Sequence, residues 1–298
     1  MKIKILCFSI LAMLCTACSE EDLSADSVVD SSMPDIQHTE LDKWIMDNYT
    51  RPYGIEVVYS WDKNASQDGT YAYPPKTEKV KPVLEAIREM WIDLYLDPQI
   101  GGKDFMQEKN PVKIYMYGGR ALDVNGVEMI ANSQASHSEM YIYNVNDFDP
   151  SDQDKVFVLM RSIHHQFAHR LAEVYPYQRN EFLRFSERSY MKSTDFLNRT
   201  SLPKTGKDLL IMRKYAMDRG FCTIHSMVLP DDDFAEMVSV MLMYTPNEIA
   251  QQMTNEKVLA KKDFIEDYFE YNVKISLRQL QVSSIKKIRA FHQKHQNP

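Results

Sequence analysis

The segment Ile163-His164-His165-Gln166-Phe167-Ala168-His169 decides how the chain is expected to fold around its candidate site. It lies within an amphipathic pattern over 152–174 that predicts one long helix. The apolar stripe of that helix comprises Val156, Leu159, Met160, Ile163, Phe167 and Leu171. His165 and His169 are four residues apart and therefore lie one turn apart on a neighbouring face. Two imidazoles at this spacing can hold one metal ion, although the spacing alone fits two surface histidines equally well.

The residue that follows the first histidine of this pair is Gln166. In the metal-binding pattern H-E-x-x-H, a glutamate occupies this position and accepts a proton from water. A neutral amide has no comparably basic lone pair. The sequence therefore predicts a metal site whose hydrolytic chemistry is weakened or lost, and a Gln166→Glu change is expected to raise hydrolysis.

A third metal ligand has to come from another segment of the chain. Glu173 is eight residues from His165, which is about 12 Å along a helix axis, whereas zinc ligands lie about 2 Å from the ion. His164 points about 100° away from its neighbour and is predicted to be a packed or hydrogen-bonded histidine.

The candidate for the third ligand is Glu236, within a second and mostly apolar helix predicted over 232–244. Asp231 or Asp232 is the expected N-cap, which places Glu236 in the first or second turn. Burying a glutamate in such a helix is costly unless it is paired or bound to a metal. The alternative is that Glu236 lies on the exposed side of the helix.

The N-terminus predicts export and a lipid anchor. Two lysines precede an apolar run over 5–14 that is too short to span a bilayer. The following Cys15-Thr16-Ala17-Cys18 predicts a lipoprotein signal peptide over 1–17 with Cys18 as the lipidated residue; an ordinary cleaved secretory signal is the alternative. The acidic run over 19–22 resembles the surface-export tag of some outer-membrane lipoproteins, so we expect an outer-membrane, cell-surface location held by the lipid anchor alone.

Composition and charge bound the domain organisation. Residues 18–36 are polar and predict a flexible tether, and 37–298 are predicted to form one domain. Cys222 is the single cysteine beyond the leader and anchor region, so the domain has no internal disulfide and the thiol is expected in the core. The formal net charge of −7 argues against nucleic acid as a partner.

The coarse pattern places strands early and helices late, which predicts an α+β fold with a small N-terminal sheet and a helical C-terminal half. The predicted strands are 55–61, 113–117 and 140–145, with a weaker one at 128–131. The predicted helices begin near Thr39 and include 78–96, 152–174, 206–218, 232–244, one opening at Pro246, and helical patterns over 257–293.

Several segments together resemble one known family, the zinc metallopeptidase-type lipoproteins described as substrate-import-associated zinc metallohydrolases. These segments are Leu41-Asp42-Lys43-Trp44-Ile45 with Tyr53-Gly54-Ile55-Glu56-Val57, the histidine segment 163–169, Gly220-Phe221 with Asp232-Asp233-Phe234-Ala235-Glu236, and 263–290 with Ser276-Leu277-Arg278-Gln279-Leu280. The likeness extends over nearly all of the chain beyond the leader.

The resemblance implies a zincin-like, gluzincin-type domain that holds one zinc ion through His165, His169 and Glu236. Gln166 stands where the family has its catalytic glutamate. His225 stands where a tyrosine is expected, in a position that can stabilise an oxyanion. The implied partners are a peptide or glycan substrate, a TonB-dependent transporter and the surface binding lipoprotein of that transporter. The alternative function is a non-catalytic substrate-binding or accessory lipoprotein of an outer-membrane uptake complex.

Overall fold

The computed structural model describes residues 39–61, 73–120, 137–191 and 214–296. From Glu40 onward these residues belong to one compact unit, Glu40–Pro298. The predicted signal peptide, Cys18, the tether, the weak strand at 128–131 and the first part of the helix at 206–218 lie outside the described residues. Within the described ranges, no helix combines the length and the apolar character needed to cross a membrane.

Three short strands form a parallel sheet in the order β1-β2-β3. The strands are β1 (Glu56–Val58), β2 (Lys113–Met116) and β3 (Glu139–Ile142). Tyr115 of β2 lies opposite Val58 of β1 and opposite Tyr141 of β3. Alternate residues of β2 and β3 are buried, as the two-residue period of a strand requires. Each of these strands was predicted from the sequence, but each observed strand is shorter than the range that was predicted for it.

Helical segments surround the strands in the first half of the described chain. They are α1 (Glu40–Ile45), continued by a π-helical turn (Met46–Thr50) and by Arg51–Tyr53; α2 (Thr77–Ile87), continued by a π-helical turn (Arg88–Ile92) and by Asp93–Tyr95; and α3 (Gly102–Lys109). Gly54 ends the first of these runs with a φ of 68°, a left-handed conformation that glycine adopts without a Cβ clash.

The helix α4 (Gln153–Val174) carries the histidine segment. Asp152 caps its first turn by accepting hydrogen bonds from the backbone N–H groups of Asp154 and Lys155. All six residues of the predicted apolar stripe are buried. Phe167 contacts Trp91 and Tyr95 edge-on, with ring centroids 5.1 and 4.9 Å apart. The predicted helix and its buried face are therefore confirmed, and this packing fixes the rotation of α4 about its own axis.

The C-terminal half is helical. Its helices are α5 (Arg179–Arg184), α6 (Lys214–Met217), α7 (Pro230–Met243), α8 (Pro246–Gln252), α9 (Glu256–Tyr268), which a π-helical turn (Phe269–Val273) extends, and α10 (Leu277–Gln296). Thr245 and Glu248 form a capping box at the start of α8, the helix that the sequence predicted to open at Pro246. The described chain is thus an α+β structure with its strands in the first half.

One predicted boundary is wrong. The helix α7 begins at Pro230 with Leu229 as its N-cap, instead of using Asp231 or Asp232 as the cap. Proline suits the first helical position because its φ is already helical and its missing N–H would have no partner there. The earlier start places Asp232 in the first turn of α7 and Glu236 in the second.

Candidate metal centre

The two histidines of α4 point their Nε2 atoms at each other. His165 Nε2 and His169 Nε2 are 3.2 Å apart, and both side chains are largely buried, with 5 % and 9 % of the residue surface exposed. Burial lowers the pKa of His169, and this effect outweighs the opposing contact with Asp232. A neutral imidazole offers a nitrogen lone pair, which is the form that binds a metal.

The third member of the cluster is Asp232, from the first turn of α7. Its Oδ1 atom is 3.4 Å from His169 Nε2. His165, His169 and Asp232 each offer one ligand atom, and these atoms all lie within 4.8 Å of one another. Two ligands of a tetrahedral zinc ion, each about 2.0–2.1 Å from the metal, are about 3.3 Å apart. The 3.2 and 3.4 Å separations therefore fit two edges of such a tetrahedron, and the donor set of two imidazoles and a carboxylate is typical of zinc.

Glu236 lies next to the histidines but on the other side of the ring. Its Oε1 atom is 2.8 Å from Nδ1 of His165, whereas the Nε2 atom of that ring faces His169. The sequence predicted that Glu236 meets the two histidines at one ion. In the structure, Glu236 instead lies away from the point that the two Nε2 atoms face. The ligand role of Glu236 stays a prediction, and the geometry favours Asp232, one turn earlier on the same helix. A carboxylate at Nδ1 instead fixes the orientation of the imidazole ring.

A buried cation compensates the charge of Glu236. Arg161, also on α4, donates from Nη2 to Oε2 of Glu236 at 2.6 Å, and both side chains are inaccessible to solvent. Thr223 donates to the same oxygen at 2.5 Å. Burial alone would raise the pKa of Glu236, but the Arg161 guanidinium and the His165 ring lower it well below its usual range. Glu236 is therefore an anion that the protein itself neutralises.

Gln166 directs its amide to the sheet. Its Oε1 accepts the backbone N–H of Tyr141 at 2.7 Å, and its Nε2 donates to the carbonyl oxygen of Tyr141 at 2.9 Å. The same Nε2 is 3.1 Å from Oγ of Ser162. The side chain that the sequence placed at the position of a catalytic base is thus hydrogen-bonded to the backbone of β3.

His225 lies in a short 3₁₀ turn, His225–Met227, just before α7. Burial lowers its pKa, while the negative charge of Glu236 acts in the opposite direction and His165 adds to the lowering. These mutual effects place His225 in the same electrostatic environment as Glu236 and His165. Its suggested contact with an oxyanion stays a prediction.

The remaining predictions on this region concern two buried residues. His164 is almost fully buried, with Nε2 3.4 Å from Oγ of Ser284, and burial lowers its pKa to about 3. It is therefore a packed core histidine, as predicted. Cys222 is also fully buried, and burial raises the pKa of its thiol to about 12, so it is a core residue rather than a reactive one.

Sequence reasoning missed Asp232 and two further features near it. The ring of His137 stacks on the ring of His169, with centroids 5.0 Å apart and an interplanar angle of 3°. Asp233, next to Asp232, forms a buried ion pair with Lys261 of α9, at 2.6 Å. A signal for Asp232 was present, because it is four residues before Glu236 and shares its helix face. No local pattern pointed to His137 or Lys261.

Comparisons with known proteins identify the family and the fold of the chain. A family model described as "Putative zinc-binding metallo-peptidase" matches residues 34–278. No curated protein matches the chain in sequence. The chain resembles the crystal structure of a "putative zinc-binding metallo-peptidase from Bacteroides caccae ATCC 43185", with a TM-score of 0.64 and 20 % identity. That likeness covers 86 % of this chain and 96 % of the other, and at this identity it shows the fold alone. Because the family model spans most of the sequence, the chain belongs to the zinc-binding metallo-peptidase family that the model describes.

Proposed function

We propose that the protein is a surface lipoprotein of the metallo-peptidase family that holds one zinc ion through His165, His169 and Asp232 and hydrolyses its substrate weakly or not at all. The observation that carries the proposal is the clustering of the three ligand atoms within 4.8 Å of one another, with His169 Nε2 3.2 Å from His165 Nε2 and 3.4 Å from the Asp232 carboxylate. Zinc supplies Lewis-acid chemistry when bound: it polarises a carbonyl group and makes water more acidic.

The surrounding residues have separate roles in this proposal. Glu236 holds the His165 ring through Nδ1 and so directs Nε2 to the ion. Arg161 and Thr223 hold Glu236 in turn. This chain of contacts links two helices, α4 and α7, and keeps the ligands in place before the ion binds.

Hydrolysis is expected to be weak because no strong base occupies position 166. Removal of a general base typically lowers the rate by about 10²–10⁴-fold. The amide of Gln166 is also held on Tyr141, where it donates and accepts backbone hydrogen bonds. These two facts support a protein of the peptidase fold that retains a metal site with little catalysis. A zincin-like, gluzincin-type topology is part of the same proposal.

The location and the partners are proposed from the sequence alone. Cys18 would carry the lipid that anchors the chain in the outer membrane, and residues 18–36 would form the tether. A peptide or a glycan would be the substrate, and a TonB-dependent transporter with its surface binding lipoprotein would be the partner. Labelling with a clickable fatty acid and a Cys18→Ala variant tests the anchor, because only the natural chain should acquire the label.

Metal analysis tests the centre of the proposal. The purified protein should hold about one zinc per chain, and His165→Ala and His169→Ala should lose it. A His295→Ala variant, on the last turn of α10, is the matched control and should keep zinc. Equal zinc content in all four proteins would reject the assignment of the ligands.

The second candidate function is a binding or accessory lipoprotein without turnover. The hydrogen bonds between Gln166 and the backbone of Tyr141 favour this second function, because the side chain at the position of the catalytic base makes a structural contact. Peptide and glycan binding should then persist when zinc is removed with a chelator. Loss of binding together with loss of zinc would instead favour the metal-dependent function.

A further inference from the structure

The backbone of β3 has one hydrogen-bonding side turned toward β2 and one turned away. Val112 N–H donates to the carbonyl of Ser138, and Tyr117 N–H donates to the carbonyl of Ile142, so the even-numbered positions of β3 face β2. Backbone groups alternate along a strand. Tyr141 therefore turns its N–H and C=O to the outer side of the strand, where another strand would add in a larger sheet.

Gln166 occupies both of these backbone groups. Its Oε1 accepts from the Tyr141 N–H at 2.7 Å, and its Nε2 donates to the Tyr141 carbonyl at 2.9 Å. The second N–H of the amide has Ser162 Oγ within 3.1 Å. A side-chain amide has one acceptor oxygen and two N–H donors. All three groups are engaged here, and the two bonds to Tyr141 reproduce the contact that a neighbouring strand would make.

We propose that Gln166 is a positioning residue: it fastens α4 to the outer edge of β3 and thereby fixes where His165 and His169 stand. His165 directly precedes Gln166, and His169 follows within one turn of the same helix. The contact joins residues 25 positions apart in the chain, so it ties the metal-site helix to the sheet. The fastening itself needs no metal and is separate from the proposed function, whereas its effect on metal binding rests on that function.

The chemistry of the contact explains why an amide, and not a carboxylate, stands at this position. An ionised carboxylate is an acceptor only, so it could keep the bond from Tyr141 N–H but would place an oxygen against the Tyr141 carbonyl. Gln166 is 9 % exposed, so water would compensate that contact poorly. The fastening also closes the edge of β3 at Tyr141, so an extended peptide cannot pair with this strand there without displacing the Gln166 side chain.

The first experiment measures hydrogen exchange by NMR in the natural protein, with zinc removed by a chelator. The backbone amide of Tyr141 and the side-chain amide of Gln166 should both exchange at least about tenfold more slowly than exposed amides, because both are hydrogen-bonded and Gln166 is buried. Exchange of Tyr141 at the rate of an exposed amide would overturn the proposal. This exchange measurement uses only the natural protein, so it tests the contact between Gln166 and Tyr141 even if substitutions at 166 prevent folding.

The second experiment compares Gln166→Met, which keeps the length of the side chain but neither bond, with Gln166→Glu, which keeps the acceptor alone. Tyr141 exchange should accelerate at least about tenfold in Gln166→Met, and the thermal midpoint of both variants should fall by about 3–8 °C. Gln279→Glu, on the exposed face of α10, is the matched control and should shift the midpoint by less than about 1 °C. An unchanged midpoint in Gln166→Glu would contradict the proposed mismatch.

Cobalt binding separates a positioning role from a merely structural one. Co²⁺ in a tetrahedral site gives visible absorption bands, and its affinity for folded Gln166→Met should fall by about 10–100-fold, as for other residues that orient metal ligands. Faster Tyr141 exchange with unchanged cobalt affinity would reject positioning and leave only fastening. If the natural protein binds no cobalt or zinc, the proposed function and the positioning role fail together, while protection of Tyr141 still reports on the fastening.

Discussion

Two carboxylates one turn apart on α7 meet the histidines of α4 in different surroundings. Glu236 is fully buried, with one oxygen bonded to Arg161 and Thr223 and the other 2.8 Å from His165 Nδ1. The side chain of Asp232 is 17 % exposed and faces the Nε2 atom of His169. Closeness to a histidine pair therefore does not by itself distinguish a metal ligand from a carboxylate that balances a buried cation. The charge of Glu236 is balanced by Arg161, whereas the carboxylate of Asp232 lies beside an Nε2 atom of the histidine pair.

The largest expected effect comes from Glu236→Gln. This change leaves the buried guanidinium of Arg161 without its counter-charge, so the free energy of unfolding should fall by about 3–5 kcal/mol. Urea unfolding of the zinc-free protein at pH 7 measures it, with Asp267→Asn, an exposed acid on α9, as the control. A loss below about 1 kcal/mol would show that Glu236 is not the structural partner of the pair.

A second effect is expected for Asp232→Asn, and it concerns zinc affinity instead of stability. Removal of a residue that only orients a ligand lowers metal affinity by about 10–100-fold. Loss of a ligand should lower zinc affinity further. The stability of the zinc-free protein should change little, because the Asp232 side chain is partly exposed. Competition titration with a zinc-binding dye gives the affinity of this variant and of Glu236→Gln. A greater loss of zinc in Glu236→Gln would restore Glu236 as the ligand of the original prediction.

A smaller effect is expected for Thr223→Val, which removes the hydroxyl that donates to the Glu236 carboxylate and accepts the backbone N–H of Ser226. Hydrogen bonds to charged groups contribute about 1.5–3 kcal/mol, and the variant should lose stability within that range. Zinc affinity should fall less than in Asp232→Asn, because Arg161 still holds Glu236. Unfolding and zinc titration on the same sample measure both. Unchanged stability would mean that Thr223 does not contribute to holding Glu236.

The pH dependence of stability sharpens the same comparison. The pKa of Glu236 is lowered in the folded protein, so its contribution is fully present above its ordinary value of 4.5 and is lost as the pH falls below that value toward the folded pKa. The zinc-free natural protein should therefore lose stability below about pH 4.5 more steeply than Glu236→Gln does. Parallel pH profiles for the two proteins would contradict the charge pairing with Arg161.

The hydrogen bonds between Gln166 and Tyr141 also bear on the expected result of Gln166→Glu. From the sequence, Gln166→Glu is expected to raise hydrolysis, because it restores the base of the H-E-x-x-H pattern. The contacts with Tyr141 point to a loss of stability instead, since a carboxylate cannot replace the donated hydrogen bond. Peptidase and stability assays on the same variant distinguish the two expectations.

Much of the framework could be predicted because it is local. The apolar stripe of α4, its histidine pair and the start of α8 at Pro246 follow from spacing within a few residues. The choice between Asp232 and Glu236 could not be predicted in this way. The two residues are four positions apart on one face, and periodicity treats them alike. Only the position of Arg161 on the facing helix separates them.

Three features can be read from the sequence: an amphipathic helix with two histidines on one face, a glutamine where H-E-x-x-H has its glutamate, and an α+β order of elements. These features depend on helical periodicity and on the chemistry of residues a few positions apart, so they can be predicted from the sequence alone. Tertiary packing sets three further contacts: Asp232 lies at Nε2 of His169, Glu236 lies at Nδ1 of His165 and pairs with Arg161, and Gln166 binds the backbone of Tyr141. These contacts join residues 25 or more positions apart, so they depend on how α4 packs against α7 and the sheet.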